Sequence, residues 1–194
     1  MRDVSERVRV QSVEVLSEDW YVLKKTTFDF LRSDGTWQRQ SRETYDRGNG
    51  ATILLYNRRR RTVVLTRQFR FPAFVNGYRG LLIETPAGLL EERSPEEAIR
   101  KEVAEETGYT VHDVRKVFEA FMSPGSVTEK LFFYVAEYEQ AAKTEGGGGV
   151  LEDGEDIETI ELNVEEALEG IASGSIQDGK TIMLLFYARL YLFN

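Results

Sequence analysis

The stretch that most restricts this chain runs from Ala87 to Gly108, AGLLEERSPEEAIRKEVAEETG. A glycine-containing loop leads into a short helix whose start is written out residue by residue. Ser94 is the N-cap, Pro95 suits the first helical position, and Glu97 completes a capping box. Gly108 marks the other end as a left-handed cap. Glu102, Glu105 and Glu106 fall within about 100° of arc on this helix, and Ile99 and Val103 take the neighbouring face, expected to be buried. The acids are costly there. Glu102 and Glu106 are like charges one turn apart, a penalty of about 0.2–0.5 kcal/mol. All three lie at the negative end of the helix dipole, which disfavours an anion by roughly 0.3–1 kcal/mol. Two readings stay open: a solvated acidic face, or one wall of a divalent-cation site that removes both penalties. Carboxylate oxygens suit Mg²⁺, which keeps several waters and draws further ligands from substrate phosphates.

The totals bound the alternatives. The chain has 194 residues, enough for one substantial domain or a core domain with a small annex. Its formal net charge of −8 argues against a nucleic-acid partner, which calls for a basic field. An acidic protein that handles phosphates needs local cations, from metals and selected Arg and Lys. There is no cysteine, so disulfides and thiolate metal sites are excluded, and the single histidine, His112, cannot build a histidine-rich site. The first residues, MRDVSERVRV, lack an apolar signal core, and no stretch reaches about 18 apolar residues. A cytoplasmic location without a membrane partner is the expectation.

Around the central stretch, residues 7–46 read as strands, with Ser33-Asp34-Gly35 as a turn. A long hairpin polar on much of its surface seldom stands alone. It packs within one chain or pairs with another subunit, and a homodimer is the favoured expectation. Thr52–Tyr56 and Thr62–Thr66 form a core hairpin, and the arginines 58–61 at its tip read as a solvated loop. Arg67-Gln68-Phe69-Arg70 follows, and an Arg fork at a strand end suits phosphate oxygens; Arg70 is the candidate, with a surface ion pair as the plain alternative. Leu81–Gly88 reads as one strand running into the helix loop. Strands are expected at Arg115–Phe121 and Leu131–Tyr138. Between them, Met122–Glu129 is a Pro- and Gly-containing loop that carries Glu129, read as substrate positioning or help to the attacking water. Gly146–Gly149 is a flexible run, and the acidic residues after it offer Glu155 as a further metal ligand or general base. A strand near 157–162, a helix near 164–172 and a last helix from about Lys180 complete the chain. Lys180 at a helix start reinforces an anion site.

The central stretch resembles the Nudix box, G-x5-E-x7-R-E-U-x-E-E-x-G-U with U a bulky residue, through Gly88, Glu102, Val103, Glu105, Glu106, Gly108 and Tyr109. It departs twice. The loop after Gly88 is one residue short, which leaves Glu91 and Glu92 nearest to the first box glutamate, and Lys101 stands for the box arginine, without its planar fork. Tyr45–Thr52, Arg67–Arg70, Met122–Gly125 and Asp178–Thr181 are similar to the GDP-mannose pyrophosphatase branch of the Nudix superfamily; ADP-ribose pyrophosphatases are the nearest rival. The resemblance implies an α/β fold: an α/β/α sandwich around a mixed sheet, with an N-terminal antiparallel strand annex (residues 1–47) swapped between subunits and a catalytic domain over residues 48–194. It implies Mg²⁺-dependent hydrolysis, with Mn²⁺ as the alternative metal, of a nucleotide sugar, GDP-mannose first. Metal ligands would be the Ala87 carbonyl, Glu102, Glu105, Glu106 and Glu155. Glu106, Glu129 and Glu155 would be catalytic. Tyr21, Ser41, Arg42 and Glu43 would reach the partner's substrate, and Arg70, Ala87, Gly88, Glu129 and Lys180 would bind it within the chain. A Nudix-like protein that binds a nucleotide sugar without cleaving it is the different class to keep in view.

Overall fold

The computed structural model describes residues 3–139, 142, 143, 146–150, 152 and 154–194. They divide into two compact units, one of residues 1–49 and 121–130, the other of residues 50–120 and 131–194.

The first unit is an antiparallel sheet of β1 (Val8–Glu18), β2 (Val22–Leu31) and β3 (Trp37–Asp46), in that order. The turn expected at Ser33–Gly35 joins β2 to β3, and Asp34 accepts from the Thr36 amide at 2.9 Å. β1 is exposed along its whole length, its apolar residues included, with Val10 61% and Val13 56% accessible. Residues 121–130 dock on the end of β3. Tyr45 donates its amide to the Ser126 carbonyl at 2.8 Å, and the Thr128 amide returns to the Tyr45 carbonyl at 3.1 Å.

The second unit is built on a mixed sheet in the order β10-β5-β4-β9-β8. Its strands are β4 (Gly50–Asn57), β5 (Thr62–Gln68), β8 (Arg115–Phe121), β9 (Lys130–Glu137) and β10 (Glu158–Asn163). Two short strands extend it: β6 (Leu82–Glu84) pairs with β5, and β7 (Ala87–Leu89) with β4. β4 runs parallel to β9 and antiparallel to β5. Because β4 is covered on both faces, it reads as an unbroken apolar run rather than an alternation. Ala51, Ile53 and Leu55 face the core shared with α2 (Pro95–Thr107). On the other face, Thr52 meets Thr85 at 2.8 Å and Tyr56 lies edge-on to Phe193. α3 (Val164–Ser173) and α4 (Gly179–Tyr191) cover this side, α4 bonding through Thr181 Oγ1 to the Thr85 amide at 2.7 Å. The sheet thus lies between two helical layers, as the sandwich expectation has it.

The single strand expected over Leu81–Gly88 is instead two. The chain breaks at Thr85-Pro86 and changes partner from β5 to β4. Pro86 has no N–H for a ladder, and its carbonyl accepts from Ile53 N and Thr52 Oγ1 at 3.0 Å each. A five-residue helix, α1 (Phe71–Val75), follows β5 and was not anticipated.

Candidate active site

α2 forms as its sequence dictates. Ser94 accepts from the Glu97 amide, Glu97 answers the Ser94 amide at 3.1 Å, and Gly108 ends the helix in the left-handed region at φ 73°. Ile99 and Val103 are wholly buried. Each is worth about 1.5–3 kcal/mol, which outweighs the charge penalties on the neighbouring stripe and lets the helix carry its acids.

Those acids separate into two kinds. Glu105 turns to Lys101, one turn back, at 2.6 Å. Glu102 and Glu106 turn inward. Glu102 lies so close over β7 that a Cβ on Gly88 would collide with its carboxyl group and displace it, so glycine at this position leaves the carboxyl where it is. Glu106 is 3% exposed, and its Oε2 is buried with no hydrogen-bond partner among the described residues. Burial first, and the neighbouring Glu102 charge second, push the Glu106 carboxyl up to about 8, against a partial pull down from Arg70. Burial likewise raises Glu102. Two adjoining carboxyl groups, one orphaned, form a donor set that fits a divalent cation, the group that would satisfy the free oxygen and favour both charges. Among the described residues no three His, Asp or Glu side chains converge as a ready cage.

The glycine run reaches the end of α2. Gly148 and Gly149 donate their amides to the carbonyls of Glu106 and Glu105 at 3.0 and 3.1 Å, and Thr159 Oγ1 donates to the Glu106 carbonyl at 3.2 Å. Gly147 has φ +110°, and a Cβ there would stand 2.8 Å from Gly108 N and the Thr107 carbonyl carbon, so this position too requires glycine. Just beyond, Glu155 accepts from the Val150 amide at 2.9 Å, and its charge contributes to the upward shifts of both Glu102 and Glu106. The run is thus a backbone clip on the C-terminal end of α2, with Glu155 at its far side. Leu151 and Asp153, part of the acidic segment singled out in the sequence, lie outside the described residues.

Arg70 and Lys180 meet on one buried acid that sequence reasoning missed. Glu84, 2% exposed, receives Arg70 Nε at 3.1 Å and Arg70 Nη2 at 2.8 Å, and Lys180 Nζ lies 3.3 Å away. Lys180 also contacts Asp178, the N-cap of α4, at 3.0 Å. Burial works to raise Glu84, but Lys180 and Arg70 prevail and hold it below the usual range. Arg70 is therefore in an ion pair, as the plain alternative had it, yet its side chain stays 41% accessible. The available signal was an acid ending the otherwise apolar run Leu81–Ile83.

The remaining candidates belong to the first unit. Glu129 pairs with Arg47 at 3.5 Å, and the Arg47 guanidinium lies over the Tyr21 ring, 5.5 Å from its centroid. Tyr21 meets Tyr45 edge-on at 5.8 Å. Arg47 and Tyr45 thus join Tyr21 and Glu129 into one cluster. Ser41, Arg42 and Glu43 are exposed on β3: Ser41 Oγ shares a 2.9 Å hydrogen bond with Thr27, and Arg42 Nη2 donates to Gln40 Oε1 at 3.0 Å. The arginine-rich tip of the β4–β5 hairpin forms ion pairs, Arg60 with Glu161 and Arg61 with Glu165.

Comparison with known proteins decides the family. The model of the NUDIX domain matches residues 46–184. The chain belongs to the Nudix family. The model of the GDP-mannose pyrophosphatase NudK N-terminal domain matches residues 7–45 of this Nudix chain. Among its relatives, a GDP-mannose pyrophosphatase of Klebsiella pneumoniae is 54% identical, over 95% of this chain and 92% of that protein. One of Pectobacterium atrosepticum is 53% identical over 95% of each. A crystal structure of an ADP compounds hydrolase shares the Nudix fold with a TM-score of 0.74 at 16% identity, covering 99% of this chain and 97% of the other. Nudix hydrolases generally use divalent metal ions, which agrees with the donors found on α2.

Proposed function

We propose that this Nudix hydrolase cleaves the diphosphate bond of GDP-mannose, giving GMP and mannose 1-phosphate, with Mg²⁺ as the ion and Mn²⁺ as its alternative. The observation that carries the hydrolytic reading is the pair of adjoining carboxyl groups, half-buried Glu102 and buried Glu106 with its orphaned oxygen. The relatives at 53–54% identity support the substrate. Glu102, Glu106 and the Ala87 carbonyl would hold the ion, with Glu155 completing the set and Glu105 outside it or helping to hold water. A divalent cation held there would supply charge neutralisation for the diphosphate and would lower the pKa of a bound water.

The chain's own groups do the rest. Gly88 leaves room for the Glu102 carboxyl. Arg70 presents a guanidinium to a phosphate oxygen, with Lys180 adding positive potential from behind. As water adds to phosphorus, its proton passes to Glu129 or Glu155 and the bridging oxygen leaves with the other phosphate. In the same proposal residues 1–47 form an annex to the catalytic domain of residues 48–194 and cross to a second subunit in a cytoplasmic homodimer. There Tyr21 would stack on the base, and Ser41, Arg42 and Glu43 would contact the partner's substrate. The exposed apolar residues of β1 support such pairing. The test is turnover of a nucleotide-sugar panel with Mg²⁺, comparing GDP-mannose with ADP-ribose by kcat/KM. Binding of the nucleotide sugars without any product would overturn the hydrolytic reading.

A further inference from the structure

The structure assigns to Glu84 the role of a positioning residue that fixes the Arg70 guanidinium and the Lys180 ammonium as one unit facing the diphosphate. The inference rests on the reading of Arg70 as a phosphate-binding residue, and it explains how that arginine can serve from an ion pair.

The geometry is specific. Glu84 closes β6 immediately before the Thr85-Pro86 break that sends the chain into the glycine loop under Glu102. Arg70 comes to it from the end of β5, and Lys180 from the first turn of α4. The carboxylate takes Nε and Nη2 of Arg70, the side-on form of the fork. That fixes the guanidinium plane and leaves Nη1 as the donor edge for a ligand. Glu84 is 3% exposed at its side chain and Lys180 13%, whereas Arg70 is 41% accessible. Of the three, then, only Arg70 offers a substantial surface to a phosphate, and the buried pair behind it sets where that surface lies. With Asp178 against Lys180, two cations face two anions. A balanced set of this kind can stay in place before the anionic substrate arrives. An unpaired arginine would have to be ordered during binding, at a cost in side-chain rotamer freedom. A carboxylate that merely filled a core position would be expected as an apolar residue, since an ion pair this buried contributes little net stability.

The test is a double-mutant cycle on the full chain: wild type, Glu84→Gln, Arg70→Ala and the double variant, each assayed for GDP-mannose hydrolysis and for GDP binding by calorimetry in Mg²⁺. Glu84→Gln should raise KM and weaken GDP binding about tenfold or more in the wild-type background, and change either by less than about twofold once Arg70 is alanine. Equal losses in both backgrounds would overturn the proposal, because they would mean that Glu84 acts through the fold and not through Arg70. Glu84→Asp, which keeps the charge on a shorter arm, should recover part of the binding, and a loss as great as that of Glu84→Gln would count against it. Should Glu84→Gln not fold, the Asp variant in the two Arg70 backgrounds carries the same cycle. If wild type binds GDP but turns over none of the sugars, the function proposed above falls, while the GDP-binding cycle still decides the role of Glu84.

Discussion

At the scale of single residues, the account turns on Glu106. In the metal-free fold its carboxyl keeps a proton up to about pH 8, while an unfolded glutamate gives it up near 4.5. Between these values the folded chain binds more protons than the unfolded chain, so stability should fall as pH rises from about 5 to about 8. Thermal melts in chelator across that range check this, and Glu106→Gln should flatten the slope. A wild-type profile as flat as the variant's would contradict the buried, unpaired placement. With saturating Mg²⁺, Glu106→Gln should cost about 10²–10³-fold or more in kcat, at the scale of losing one transition-state-stabilising group. Glu102→Gln should instead show itself in the metal titration, with half-activation needing roughly tenfold more Mg²⁺ or beyond. An unchanged Mg²⁺ curve would remove Glu102 from the ligand set. The box residues could be read from sequence because the helix repeat alone puts Glu102 and Glu106 on one stripe. Glu84 could not be ranked that way: its partners Arg70 and Lys180 stand far off on both sides of it, and only the tertiary fold brings them together.

At the scale of elements, α2 has two ends that do different work. Its start is local chemistry, and Ser94→Ala should cost about 1 kcal/mol of stability, read in urea unfolding, with activity at saturating metal preserved. Its end is held by the glycine clip. Gly147→Ala forces a side chain onto the Thr107–Gly108 backbone and should cost about 1–3 kcal/mol. Because the clip also holds the Glu155 segment, this variant should raise the Mg²⁺ requirement as well, whereas Ser94→Ala should not. An equal Mg²⁺ response in the two would show that the clip is a cap and nothing more. The same contrast explains what was legible among the elements. α2, α3 and the core strands carry their own caps and apolar runs. The split of Leu81–Gly88 into β6 and β7 depends on a change of partner strand, and α1 is too short, over Phe-Pro-Ala-Phe-Val, to show a helical repeat. The glycine run looked like a plain flexible loop because its partners are backbone carbonyls, to which side-chain patterns give no clue.

At the scale of the whole molecule, the chain combines a Nudix core with an N-terminal sheet matched by its own family model. The proposed crossing of that sheet between subunits makes a complementation experiment decisive. Arg42→Ala and Glu106→Gln chains, each impaired alone, should regain part of the wild-type activity when mixed and refolded together, since one hybrid site then holds both intact groups. No recovery in mixtures verified as hybrid dimers would place Arg42 in its own subunit's site or in none. The central claim is narrower and more exposed: that the adjoining Glu102/Glu106 pair, once metal is supplied, drives hydrolysis of a nucleotide sugar. The most direct measurement is product analysis of GDP-mannose incubated with the full chain and Mg²⁺, beside the same reaction with Glu106→Gln. The account predicts GMP and mannose 1-phosphate in equal amounts from wild type, and little of either from the variant or from wild type in chelator. Intact GDP-mannose after incubation with wild type, or equal product from Glu106→Gln, would contradict it.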